Sequence, residues 1–396
     1  MIATLTALLR NIGLAVRWPE VKPPATGRQT RTSRGERGES SHPHGQDDLT
    51  APLGAPDHGQ VPPRGDGERR IRVNVLRGSD LLQFEELGYV VVEGIFDPEE
   101  DFQPVVEEYE ELLDTLATRW VDEGSLSSSY RGLPFEERLL RILAESGPAY
   151  SPQYLDISLP QAEITEETPM HHGPAVFNLL RTPRLLDAVE DLIGPEIFSN
   201  PVQHVRIKPP EHLIPSDKRH PLSTRTQWHQ DLGVIDPEAD GANILTVWLP
   251  LTEATVENGC LVVEPRSHKG ELVAHCTLDE YKGLFGIPER YLGPEQVPLP
   301  MKPGDVLFMH KKTKHASLPN VSDAIRWSFD LRYQPIGEPT GRPWFPGFVA
   351  RSRAHPEWEL TDPAAWAQRW RDARTALASS QNPKFNRWKE DDPRCA

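Results

Sequence analysis

The sequence predicts a mainly β fold, a jelly roll or barrel with helices flanking it, and three observations carry that reading. Beyond Gly194 the chain breaks into short strand-like runs, "VQHVRIK", "TQWHQDL", "ILTVWLPL", "GCLVVEP", "DVLFMH" and "IRWSFDLRYQ", separated by turn residues such as "ENGC" at 257–260 and "KPGD" at 302–305. The last run puts Arg326, Ser328, Asp330 and Arg332 on one face and Trp327, Phe329, Leu331 and Tyr333 on the other. That alternation suits a barrel wall with a wet inner side and a helix-packed outer side. Ahead of Gly194 the apolar period is helical instead.

Taken in order, the first eighteen residues place Ile2, Leu5, Leu9, Ile12 and Val16 on one helical face. Residues 19–83 contain no aromatic residue and are rich in Pro, Gly, Ser and Arg. Such a composition buries too little apolar surface to offset chain entropy, so residues 1–70 are expected to be a disordered extension carrying that short amphipathic helix. Glu20 is the sole acid before residue 36, a composition that also fits an organelle transit peptide. The expected location is cytoplasmic, with mitochondrial as the alternative if the Arg-rich start is such a peptide. A folded domain is expected over 71–396. It begins with a short helix and the strand "YVVVEG", followed by a long helix opened by Pro98 with acidic residues at its positive end. A helix over roughly 176–192, interrupted or started by Pro183, precedes the strands, and "DPAAWAQRWRDARTALA" closes the chain as a final helix.

Charge and cysteine usage narrow the function. Formal net charge is −16, and residues 71–396 alone carry −18, which argues against a phosphate-backbone partner such as nucleic acid. No apolar run reaches the ~18 residues that a membrane-spanning helix needs. Cys260, Cys276 and Cys395 form no CxxC pair and leave one cysteine unmatched. A reducing compartment and a fold without covalent staples are therefore expected.

Chemistry enters with "TQWHQDLGV". In an extended segment His229 and Asp231 project to the same side and can share one target. A third ligand is offered by "MHKKTKHASLPN", where His310 and His315 both follow the strand "DVLFM". Two imidazoles and one carboxylate on one face of a metal leave three positions open, the arrangement of non-haem Fe(II) oxygenases. In a large class of these, 2-oxoglutarate fills part of the open side, and its far carboxylate requires a cation such as those on the polar face of "IRWSFDLRYQ".

These residues resemble the phytanoyl-CoA dioxygenase family of Fe(II)- and 2-oxoglutarate-dependent oxygenases. The resemblance covers roughly 80–340 and rests on "KPP" at 208–210, "HPL" at 220–222, "WHQDL" at 228–232, "ENGCLVVEPRSHKG" at 257–270, "KPGDVLF" at 302–308 and "HAS" at 315–317, in the family's order. It implies a double-stranded β-helix of the jelly-roll, cupin-like kind over about 195–336, with a helical extension over about 337–396. The family places its distal ligand histidine eleven residues before its 2-oxoglutarate arginine, which here selects His315 over His310 and Arg326 over Arg332. The implied metal ligands are His229, Asp231 and His315. The implied cosubstrate residues are Arg326, Ser317 on the same carboxylate, Trp248 lining the pocket and, at a position where the family varies, His204.

The resemblance implies a dioxygenase that uses Fe(II), 2-oxoglutarate and O2 to hydroxylate a small organic substrate, releasing succinate and CO2. Asp231 favours hydroxylation, since halogenating relatives carry a small residue there. The alternative is a metal-dependent isomerase, or a non-catalytic metal-binding jelly roll, that does not use 2-oxoglutarate; Arg326 with Ser317 is the feature that separates the two. Three further features have a functional and a plain reading: His171 and His172 as lining of a substrate entrance, Lys311, Lys312 and Lys314 as steering charges rather than a solvated run, and His268 as a residue that orders its loop.

Overall fold

The structure, a computed structural model, describes residues 75–146, 150–214, 222–278, 281–380 and 387–395. The extension 1–70 with its amphipathic helix, and His220 and Pro221 of "HPL", lie outside the described residues.

Helix α1 (Gly78–Leu87) ends at Gly88, whose φ of +83° and whose contact with the His268 ring leave no room for a Cβ. Strand β1 (Tyr89–Val92) follows. The Asp97 carboxylate accepts from the Glu99 and Glu100 amides, and Pro98 opens a short π-helical turn that runs into α2 (Gln103–Asp122). Its buried residues Val105, Tyr109, Leu113, Leu116, Ala117 and Trp120 form one stripe. Helix α3 (Phe135–Ser146), not anticipated from the sequence, lies against it. The expected helix at 176–192 is two, α4 (Pro174–Leu180) and α5 (Pro183–Ile193). Pro183 forces Thr182 into an extended conformation, ψ 121°, and so ends the first while starting the second.

Among the described residues, twelve antiparallel-paired strands form the β part. After β1 come β2 (Glu196–Ser199), β3 (His204–Lys208), β4 (Leu245–Pro250), β5 (Leu261–Val263), β6 (Cys276–Leu278) and β7 (Tyr281–Gly286). They are followed by β8 (Val297–Leu299), β9 (Val306–His310), β10 (His315–Ser317), β11 (Arg326–Pro335) and β12 (Phe348–Ser352), with α6 (Pro363–Ala378) last. One sheet runs β1-β9-β4-β11-β2-β12, with β3 also pairing β11; a smaller one runs β10-β5-β8, and β6 and β7 form a hairpin. Strands of both sheets line one cavity, as in the expected jelly roll. The larger sheet reaches beyond the expected 195–336 on both sides, through β1 and β12, so the C-terminal extension is not purely helical.

Strand β11 is the centre of this arrangement. Trp327, Phe329, Leu331 and Tyr333 are all buried in the core shared with the helices. Trp327 stacks on Phe135 at 4.9 Å and meets Tyr109 edge-on at 5.0 Å, while the Tyr333 hydroxyl donates to the Leu180 carbonyl at 2.8 Å.

Two expectations are corrected. "TQWHQDL" is not a continuous strand: His229 bridges His315, and at Asp231 the chain turns into a 3-10 helix, Asp231–Val234. The fold also carries a staple, a disulfide joining Cys276 to Cys395 across a sequence separation of 119 residues, with Cys260 left as a buried thiol. No spacing motif announces a pair so distant.

Trp327→Ala is expected to destabilise the fold by about 3–5 kcal/mol, because neither Phe135 nor Tyr109 can fill the space left. Urea denaturation checks this: the midpoint should fall with the slope nearly unchanged.

Candidate metal and cosubstrate centre

Three ligand atoms, one each from His229, Asp231 and His315, lie within 4.8 Å of one another, and all three residues are largely or fully buried. The His229–His315 bridge creates this convergence, with amide-to-carbonyl bonds of 2.9 and 3.0 Å in the two directions. Gln230 keeps an extended backbone, so Asp231 points to the same side as His229 even though the chain then turns.

Each imidazole is held by a carbonyl two residues earlier: His229 Nδ1 by Gln227 O at 2.8 Å, and His315 Nδ1 by Thr313 O at 3.0 Å. A carbonyl only accepts, so each Nδ1 carries a proton, and in the neutral ring Nε2 is then the nitrogen left with a lone pair for a metal. Burial, then the neighbouring His315, pushes the His229 imidazole well below its usual range. Burial opposes ionisation of Asp231, but the Arg332 guanidinium, aided by the Thr246 hydroxyl, overcomes it and holds the carboxyl below its usual range. Arg332 donates to one carboxylate oxygen and the Thr246 hydroxyl to the other. This donor set, two imidazoles with Nε2 turned towards one oriented carboxylate, fits a divalent iron.

The adjoining cavity is lined by Arg206, Thr226, Trp248, Arg326, Asp330 and Arg332 together with the two ligand histidines and apolar residues. Arg326 is completely buried. Its Nη1 donates to Ser328 Oγ at 2.5 Å, while Nε and Nη2 have no partner. Its guanidinium lies 5.6 Å from the Trp248 ring centroid. Burial pushes it down to about 10, still charged at neutral pH. A buried guanidinium with two unpartnered nitrogens is costly unless an anion completes it, so the residues present fit a carboxylate such as the far end of 2-oxoglutarate.

The remaining assignments divide. Trp248 lines the cavity. The Ser317 hydroxyl faces Lys208, accepting from its Nζ at 2.6 Å and from the Thr226 amide at 2.7 Å, so its own proton is left to donate. His204 Nδ1 bonds Asp156 at 2.8 Å, and neither it nor Ser317 is among the cavity-lining residues. His310 stands apart from the ligand cluster, beside His268. Neither His171 nor His172 lines the cavity; the first bonds Glu108 at 2.9 Å and the second stacks on Trp370. Each of the three lysines has a bonding partner of its own. Lys311 caps the Asp240 and Ala242 carbonyls, Lys312 the Gly270 carbonyl, and Lys314 bonds Tyr291 O and Glu264. His268 does order its loop, bonding the Glu85 carbonyl at 3.0 Å.

Three contributors are not evident from the sequence: Lys208, Thr246 and Arg332 in its actual role on Asp231. Lys208 is paired in register with Arg326, and burial, then Arg326 and Arg206, pushes its ammonium well below the usual range. A lysine closing the strand-like run "VQHVRIK", immediately before "PP", is the available signal.

The chain resembles known proteins. A family model described as "Phytanoyl-CoA dioxygenase (PhyH)" matches residues 84–328. The chain is 30% identical over 224 residues to "1-deoxypentalenic acid 11-beta-hydroxylase" of Streptomyces arenae, covering 52% of this chain and 76% of that protein. It is 26% identical over 265 residues to the peroxisomal phytanoyl-CoA dioxygenase of Homo sapiens, covering 66% of this chain and 69% of that protein. Among solved structures, EvdO2 of Micromonospora carbonacea var. aurantiaca complexed with 2-oxoglutarate superimposes with a TM-score of 0.41 at 23% identity, covering 70% of this chain and all of that one.

Replacing His229, Asp231 or His315 by Ala is expected to lower Fe(II) affinity by orders of magnitude, whereas His310→Ala should leave it unchanged. Anaerobic equilibrium dialysis with iron quantification checks all four.

Proposed function

Since the chain belongs to the phytanoyl-CoA dioxygenase family, we propose that it is an Fe(II)- and 2-oxoglutarate-dependent dioxygenase that hydroxylates a small organic substrate, releasing succinate and CO2. The single observation carrying the cosubstrate assignment is the buried Arg326 guanidinium with unpartnered Nε and Nη2 atoms in the cavity beside the ligand cluster. A metal isomerase or binding barrel without 2-oxoglutarate would leave that charge uncompensated.

In this reading His229, Asp231 and His315 hold the iron. Iron with 2-oxoglutarate and O2 supplies the oxidising power for attack on a C–H bond. The protein's part is positional. Arg332 and Thr246 fix the Asp231 carboxylate, and the Gln227 and Thr313 carbonyls fix the imidazole planes. Arg326 takes the far carboxylate, Trp248 forms the wall beside it, and the Ser317 hydroxyl, supported by Lys208, turns its proton towards the same anion. Burial of these groups keeps water out, which strengthens each charge interaction. The 337–347 tract packs against the turn that follows Asp231: Gly341 O accepts from the Asp236 amide at 3.1 Å, and Arg342 donates to Val234 O.

Arg326→Gln is expected to raise the 2-oxoglutarate Kd by tens to thousands of fold, since truncating one partner of a buried charged pair costs about 2–5 kcal/mol. Iron affinity should stay near the parent's, and Arg326→Lys should recover only part, because a point charge lacks the planar fork. Isothermal titration of 2-oxoglutarate into the anaerobic Fe(II) protein, together with succinate formation under O2, tests the proposal. Parent-like binding by Arg326→Gln, or an absence of any succinate above background from the parent, would contradict it.

A further inference from the structure

The turn that carries Asp231 is braced from behind by residues that lie far beyond the family-matched segment. Gln230, between the two ligands, donates its amide to His275 Nε2 at 3.0 Å. His275 is fully buried, and its Nδ1 is fixed by the Val273 carbonyl at 3.0 Å. Gly233 approaches the same ring so closely that a Cβ there would lie 2.3 Å from it. Against the imidazole, in near-parallel stacking at 4.9 Å and 16°, lies the indole of Trp388. Its Nε1 donates to the Gly233 carbonyl at 2.6 Å, and Arg387 Nε donates to the Ile235 carbonyl at 2.8 Å. The C-terminal segment therefore takes up carbonyls of the metal turn that the turn's own backbone leaves open.

The segment is also locked in place. Cys395 is joined to Cys276, the residue next to His275, and the Arg394 carbonyl accepts from the Tyr291 hydroxyl at 2.6 Å and from Arg290 at 2.8 Å. The disulfide ties the strap's end to the residue beside the imidazole that orders Gln230.

We infer that Trp388 is a positioning residue for the metal centre, and that residues 387–395 form a strap whose grip on the 229–235 turn is latched by the Cys276–Cys395 disulfide. The strap does not touch metal or substrate; it acts through His275 and the Gly233 carbonyl on the placement of His229 and Asp231. A disulfide reductant therefore weakens metal binding. With a water-soluble phosphine the S–S bond breaks, both sulfurs become thiols, and the phosphine is oxidised to its oxide with oxygen from water. The inference rests on the metal reading of His229, Asp231 and His315, and its test separates the two.

The test uses the full chain with Mn(II) as probe, bound Mn(II) being quantified by electron paramagnetic resonance, alongside hydrogen exchange of the 229–235 amides without metal. Trp388→Ala and Cys395→Ser are expected to raise the Mn(II) Kd about tenfold, the scale of one lost hydrogen bond and its packing. They should also speed exchange of the Gln230 amide while leaving amides of β11 protected. Trp388→Phe, which keeps the stacking but not the N–H, should fall between. Phosphine treatment should bring the parent to the level of Cys395→Ser and leave that variant unchanged. Parent-like Kd and parent-like exchange at 229–235 in both Trp388→Ala and Cys395→Ser would overturn the inference. If Trp388→Ala does not fold, Trp388→Phe and the phosphine-treated parent decide the same question. Should His229→Ala bind Mn(II) as the parent does, the metal reading fails, and hydrogen exchange alone then decides whether the strap holds the turn.

Discussion

A row of charge buried along one face of a β-strand is the constraint on which this molecule depends. Arg326, Asp330 and Arg332 face the cavity from β11, and each must find an opposite charge or a hydrogen-bond partner there. Arg332 finds the Asp231 carboxylate and Asp330 finds Arg206, whereas two of the Arg326 nitrogens await an anion. Such a row survives because the other face of the strand is aromatic and fully packed. Trp327, Phe329 and Tyr333 tie β11 to α2, α3 and α4, so the strand does not shift to hydrate its charges. Stability on one face permits chemistry on the other.

Geometry at the metal centre is inherited from contacts distant in sequence. The two ligand histidines are neighbours because of a single bridge between residues 229 and 315, and both imidazoles use the same device, a carbonyl two residues back. The Asp231 carboxylate is oriented by donors from β4 and β11, so the larger sheet fixes the third ligand while the smaller sheet fixes the other two. The cavity between the sheets is therefore where the ligand set is assembled, and motion of one sheet against the other would disassemble it.

Much of this is legible in the sequence where information is local. The alternation in "IRWSFDLRYQ" marks both faces of β11, and the His-x-Asp pair needs only one extended residue, Gln230, to converge, although the segment around it is not the strand its pattern suggests. The family spacing selects His315, which joins the ligand cluster, and rejects His310, which does not. Features settled by long-range contact are the ones the sequence hides. Cys276 and Cys395 carry no mutual signal across 119 residues; His204 and Asp156 meet only through the fold; and the lysines after β9 look like free charge until the carbonyls they cap are known. His172 is hidden for the same reason, its partner Trp370 lying on the last helix.

In the proposed reading one strand carries both the cosubstrate anchor, Arg326, and the residue that holds the Asp231 carboxylate, Arg332. Diffraction from anaerobic crystals grown with Fe(II) and 2-oxoglutarate, with anomalous data at the iron edge, tests this most directly. The expected result is one iron peak among His229, Asp231 and His315, and the far carboxylate of 2-oxoglutarate on Arg326 with Arg332 still paired to Asp231. An iron peak elsewhere, or a carboxylate seated on Arg332 with Arg326 still unpartnered, would contradict it.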